Sequence, residues 1–150
     1  MHPITEVFAN KSLLCALSAW FISQLLKGCF YGLRYHTWKL ENFLTSGGMP
    51  SSHTASTVAL ALMIGFSEGF DSSFFAISAI LAAVVMYDAA GVRRETGKQG
   101  KVINELLSFT MRDGNPLFSN ALKEKIGHTP LEVIMGAVLG IVCSLVFTIL

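Results

Sequence analysis

Gly47-Gly48-Met49-Pro50-Ser51-Ser52-His53-Thr54-Ala55 is the stretch on which the reading turns. Two glycines and a proline make a loop whose backbone can approach a ligand. An apolar run over residues 54–66 follows at once, so Ser51 or Ser52 caps a helix that starts here. Such a helix start presents unpaired N–H groups and the positive end of a dipole, which suits a phosphate. His53 stands where it can pass a proton. The same residues also fit an ordinary capped turn with a surface histidine, so the rest of the chain must decide.

Outward from that stretch, the composition points to a membrane. The chain of 150 residues is 52% hydrophobic and 14% charged, with mean hydropathy +0.54; soluble domains carry about 25% charged residues. A net charge of +1 gives no global field for nucleic acid. Cys15, Cys29 and Cys143 are odd in number, lack metal-ligand spacing and read as packing residues. No basic n-region with a small-residue cleavage site opens the chain, so the first apolar segment reads as a permanent span.

Four spans are predicted, over residues 12–33, 52–69, 73–92 and 129–150. The second is the shortest. The last opens with Thr129-Pro130-Leu131-Glu132, which fits a capping box with proline at the first helical position. Between the third and fourth lie seven cationic side chains (Arg93, Arg94, Lys98, Lys101, Arg112, Lys123, Lys125) against four acidic ones (Glu95, Glu105, Asp113, Glu124). Short amphipathic helices over 102–111 and 117–126, split by the turn Asp113-Gly114-Asn115-Pro116, are expected there at the membrane surface. The predicted fold is an all-α integral-membrane bundle, one domain over residues 1–150.

Alternating connections put the basic 93–128 loop and the 34–53 connection, with Arg34 and Lys39, in the cytoplasm by the positive-inside rule. Trp38 and Tyr35 are plausible interfacial anchors. The acidic turn over 68–72 and both termini then lie outside. Lys27 and Arg34, Ser51 to His53, Asp88 to Arg94, and His128 to Glu132 therefore share one face. Charged groups inside helix ends, such as Lys27 and Asp88, are costly without partners. Lys27, Arg34, Arg93, Arg94 and the N–H groups at 51–53 make an anion cradle. Of His53 and His128, one can attack phosphorus while the other protonates the leaving oxygen. Blander roles fit too: Lys27 snorkelling, Arg34 as a topology signal, Glu132 only as a cap, Asp88 paired with Arg93 or Arg94, and His2 and His36 solvated.

These residues resemble a known superfamily. Pro50-Ser51-Ser52-His53 resembles the Pro-Ser-Gly-His motif of the type-2 phosphatidic acid phosphatases and vanadium haloperoxidases. His128-x3-Glu132 resembles their His-x3-Asp element, and Lys27-x6-Arg34 their Lys-x6-Arg. With Tyr87-Asp88-Ala89-Ala90-Gly91-Val92-Arg93-Arg94, the set looks like the small divergent branch labelled acid phosphatase/vanadium-dependent haloperoxidase-related, over residues 12–150. The sequence departs from the pattern: serine replaces glycine at position 52, Leu122 stands where an arginine is usual, no proline follows Arg34, and four spans replace six.

The resemblance implies roles. His128 is the nucleophile forming a phosphohistidine, Glu132 orients it, and His53 is the general acid. Lys27, Arg34, Ser51, Ser52 and Arg93 or Arg94 hold the phosphate, with Asp88 in support and no metal or other cofactor. The implied activity is a lipid phosphate phosphatase facing the cytoplasm from a bacterial inner (plasma) membrane. Phosphatidylglycerophosphate is favoured weakly over phosphatidate and polyprenyl phosphates; a haloperoxidase is disfavoured. The span shortage suggests a homodimer, with Gly28, Gly32, Gly136 and Gly140 as contact points, although simple helix packing suits them as well. The rival readings are a Mg²⁺-dependent phosphohydrolase using Asp88, Glu95 and Glu132, and a non-catalytic protein that binds or transports an anionic lipid.

Overall fold

A computed structural model describes residues 3–36, 38, 43, 47–111 and 127–150. The helices are α1 (Pro3–Ala9), α2 (Lys11–Tyr35), α3 (Ser52–Glu68), α4 (Ser73–Ala90), α5 (Val92–Met111) and α6 (Pro130–Ile149). Their starts follow local chemistry. The Asn10 side chain accepts from the Leu13 N–H at 3.0 Å and the Ser72 hydroxyl from the Phe75 N–H at 3.2 Å. Thr129 and Glu132 close a complete capping box on α6. α2 ends at His36 in the left-handed region (φ 52°), and α3 ends at Gly69 (φ 93°).

α3 is the central helix and packs against α2, α4 and α6; α2 and α6 also meet. The interior is built from small side chains: Cys15, Ala19, Ala55, Ala59, Met63 and Cys143 form its apolar cluster. Large apolar side chains point outward, as at Phe21 (57% exposed), Ile77 (67%) and Val142 (50%). A soluble bundle would bury these groups. Here small residues bring the helices close and the bulky ones meet hydrocarbon, as membrane packing requires.

The helical membrane bundle is as expected. Among the described residues, three stretches are long and apolar enough to cross a membrane: α2, α4 with its continuation toward Ser108, and α6. The fourth expected span, α3, has 17 residues, a rise of about 25 Å against a hydrocarbon core of about 30 Å. Three helices surround it, so little of its length needs to face lipid.

The glycine pairs are corrected as contact points between subunits. A side chain on Gly136 would strike the Ser51 carbonyl oxygen, and one on Gly140 the Ala55 carbonyl oxygen, so α6 uses both to approach α3. Phe43 covers Gly28 and Trp38 covers Gly32. Trp38 thus packs against α2, although it is itself largely exposed. The amphipathic helix starts at Val92 rather than 102 and runs on almost directly from α4, with a break at Gly91. The expected helix over 117–126, the Asp113–Pro116 turn, Leu122, Lys39, Arg112, Lys123, Lys125 and His2 lie outside the described residues.

Candidate functional site

The expected convergence of chain segments is present. At one end of the bundle the Ser51 N–H donates to the Glu132 carbonyl (3.0 Å) and the His128 N–H to the Ala89 carbonyl (3.1 Å). Lys27 Nζ donates to Ser52 Oγ at 3.1 Å. These bonds tie the ends of α2, α3, α4 and α6 together. Lys27 is 4% exposed; an ammonium group buried to that degree is expensive unless charge or hydrogen bonds meet it.

His128 is placed by its neighbours. Gly127 lies so close to the backbone of Arg93 and Arg94 that no Cβ fits there, and Ala89 fixes the next peptide. The imidazole is 1% exposed, and neither ring nitrogen has a hydrogen-bond partner among the described residues. A buried orphan group of this kind costs about 1–3 kcal/mol and calls for an explanation. The His53 ring stands edge-on to it, centroids 6.5 Å apart at 79°.

Both histidines line a cavity of about 230 Å³ with Asp88, Arg93, Val84 and Val85. Arg93 Nη2 donates to Asp88 Oδ2 at 3.0 Å. Burial holds the His128 pKa below its usual 6.5, and the positive charge of Lys27 adds to the effect; the Glu132 carboxylate opposes both. The ring is therefore neutral, and a nitrogen lone pair is available, at neutral pH.

Residues 8–143 match the model of a family described as the divergent PAP2 family. The chain belongs to that family. It is 40% identical, over 153 residues, to a Bacillus subtilis (strain 168) protein described as the uncharacterized membrane protein YuiD, with 94% of this chain and 96% of that relative covered. No solved structure matches the chain. The resemblance drawn from the sequence motifs is thus confirmed, and with it a membrane protein of the divergent PAP2 branch.

Several expected roles in this divergent PAP2 protein need correction. Glu132 does not hold the His128 ring: its Oε2 accepts from the Thr129 N–H at 2.8 Å, and neither His128 ring nitrogen has a partner among the described residues. Its influence on His128 is through its charge. The expected row of free N–H groups at 51–53 is shortened, because the Ser51 N–H is committed to α6. Ser51 Oγ accepts from Thr54 Oγ1 (3.0 Å) and lies 3.4 Å from the Thr54 N–H, so it serves as a cap. Arg93, not Arg94, lines the histidine cavity.

Arg34 lies elsewhere. With Lys27, Tyr31, Tyr35, Met49 and Glu132 it lines a separate cavity of about 670 Å³. The carboxylates of the Mg²⁺ reading do not gather: Asp88 pairs with Arg93, Glu95 with Lys98, and Glu132 caps α6. Among the described residues no three His, Cys, Asp or Glu side chains form a metal-binding group. Two contributors escaped the sequence reading. The Ala89 carbonyl carries no signal in its side chain. Tyr31 does have one, since 27, 31 and 35 repeat at helical spacing on one face of α2.

Proposed function

We propose that this protein hydrolyses lipid phosphate esters, phosphomonoesters or diphosphates, through a phosphohistidine. The observation that carries the reading is the buried His128 ring, both nitrogens unpartnered, facing His53 and Arg93 across a small cavity. A His128 nitrogen attacks phosphorus; the P–O bond to the lipid alcohol breaks; His53 delivers a proton to the departing oxygen. Water, deprotonated by His53, then attacks the phosphohistidine and releases inorganic phosphate, returning His128 to its starting state. Arg93, with the nearby charge of Lys27, offsets the negative charge that builds on the phosphoryl oxygens.

A lipid is favoured because the cavity opens on the outer wall of α4. Val84 forms part of its lining and is 59% exposed, and Leu81, Ile80 and Ile77 continue the same apolar surface. A headgroup phosphate can enter sideways while its chains stay along α4. The basic start of α5 supports a reading in which this end faces the cytoplasm from the plasma membrane.

The test is phosphate release by the purified protein from a panel of lipid phosphates. Turnover should persist in excess chelator, and vanadate should inhibit it; complete loss in chelator would instead support the Mg²⁺ reading, and binding without turnover the non-catalytic one. In the same assay Arg93→Ala should lower kcat about 10²-fold, at least tenfold more than Arg94→Ala. Equal losses would mean that Arg93 has no special place at the phosphate.

The pH dependence has a defined sign. Protonating His128 removes the attacking lone pair, and its pKa lies below 6.5. Activity (kcat/KM) should therefore show its acid limb only below pH 6.5, through the lowered pKa, and a second limb on the basic side, where His53 loses the proton it must donate. An acid limb centred above pH 6.5 would contradict His128 as the nucleophile.

A further inference from the structure

Asp88 and Arg93 meet across the junction of two helices. Asp88 lies in the last turn of α4 and Arg93 in the first turn of α5. Five residues along an unbroken α-helix turn through about 500°, so two such side chains would point about 140° apart. The break at Gly91 removes that angle, and Arg93 Nη2 donates to Asp88 Oδ2 at 3.0 Å. Both side chains are about half exposed, and a pair so open adds little to stability. What it fixes is a direction. A guanidinium carries five N–H donors in a rigid plane. The bond to Asp88 holds that plane at the wall of the histidine cavity, which both residues line, and leaves the other donors for phosphoryl oxygens.

The pair also sets the charge that an anion meets. Four charged side chains act on the two histidines: Lys27 from α2 and Arg93 from α5, against Asp88 from α4 and Glu132 from α6. Glu132 is held by the Thr129 N–H as a cap. Asp88 is the carboxylate on the cavity wall itself. A phosphate entering there meets a like charge and shares one guanidinium with it. We propose that Asp88 is a positioning residue with two opposed effects: it aims Arg93 at the phosphoryl group, and its carboxylate loosens the hold on bound phosphate so that the product leaves. This rests on the phosphatase reading above and adds a residue to it. Removing Asp88 therefore slows the chemical step and tightens the bound anion, two changes that a purely structural ion pair does not produce together.

The experiment compares the wild type with Asp88→Ala, Asp88→Asn, Arg93→Ala and the double variant Asp88→Ala/Arg93→Ala, on the lipid phosphate that the wild type cleaves fastest. Asp88 also acts on His53, so kcat is taken at the pH optimum of each variant. Asp88→Ala should lower kcat about tenfold when Arg93 is present and less than about twofold when residue 93 is already alanine, because the effect passes through the guanidinium. Asp88→Asn keeps an oxygen that accepts from Arg93 and removes the charge. It should lower KM, and the inhibition constant of inorganic phosphate, about tenfold. Equal kcat losses with and without Arg93 would overturn the positioning role while leaving the phosphatase reading intact. So would a lower thermal midpoint with kcat per folded molecule unchanged.

A second arm avoids turnover. Inorganic phosphate titrated into the purified protein in detergent should bind Asp88→Asn about tenfold more tightly than the wild type. If no lipid phosphate is hydrolysed but this gain remains, the catalytic reading fails and Asp88 stands as the group that loosens an anion site. Affinity that ignores Asp88→Asn overturns the proposal whether or not the protein turns over.

Discussion

Replacing His128 with leucine is expected to stop phosphate release, lowering kcat at least ~10⁴-fold, because no other group can form the covalent intermediate. The same change should leave the thermal midpoint in detergent unchanged or raised. The two results belong together. Neither nitrogen of the buried wild-type ring has a partner among the described residues; on the phosphatase reading, the fold carries the desolvation cost of groups used only when substrate is present. Leucine has a similar volume and no polar atoms, and therefore removes that cost. A purely structural histidine would give the opposite result, with stability lost and activity falling only as the protein unfolds. Brief reaction with ³²P-labelled lipid should also leave an acid-labile, alkali-stable protein phosphate on the wild type and none on the variant. Turnover within tenfold of wild type would remove His128 from the chemistry.

How far the sequence carried this reading depends on the range of each interaction. Thr129-Pro130-Leu131-Glu132 was legible as a capping box because its bonds join residues three apart. The Ser51 cap was legible for the same reason. The shared face of Lys27, His53, Asp88 and His128 followed from alternating spans, which also depend on local apolar length. The commitment of the Ser51 N–H to Glu132 was not legible, since it depends on how deeply α6 sinks against α3. Glu132 fitted both a cap and a histidine partner by spacing; the nearer Thr129 N–H took its carboxylate. The choice between Arg93 and Arg94 depended on the break at Gly91 (φ −104°, ψ −94°), which sets the phase of α5 relative to α4. The split into two cavities was invisible, because Arg34 and Arg93 are similar cations on one face until the helices are packed.

Gly136→Val should destabilise the bundle by about 1–3 kcal/mol and should abolish most activity even in the fraction that stays folded. A Cβ at Gly136 would lie 2.5 Å from the Ser51 carbonyl oxygen and 3.0 Å from Thr54 Cβ. Backbone on the opposing helix cannot rotate away as a side-chain tip can, so α3 and α6 must separate. That motion stretches the Ser51 N–H bond to Glu132 and displaces Ser52, the hydrogen-bond partner of the buried Lys27. His53 follows Ser52 in the chain and His128 precedes α6, so the spacing between the two rings changes with the helix spacing. Small displacements of reacting groups can cost 10²-fold in rate. Gly140→Val provides the control. It strikes the Ala55 carbonyl oxygen (2.6 Å) and Val58 one turn further from the site, so it should cost similar stability with a smaller loss of kcat in the folded fraction. Thermal unfolding and kcat per folded molecule, measured side by side, separate the two effects. Both variants should keep the oligomeric state of the wild type, because these glycines face α3 of their own chain. A change of oligomer size with stability untouched would return them to a surface between subunits.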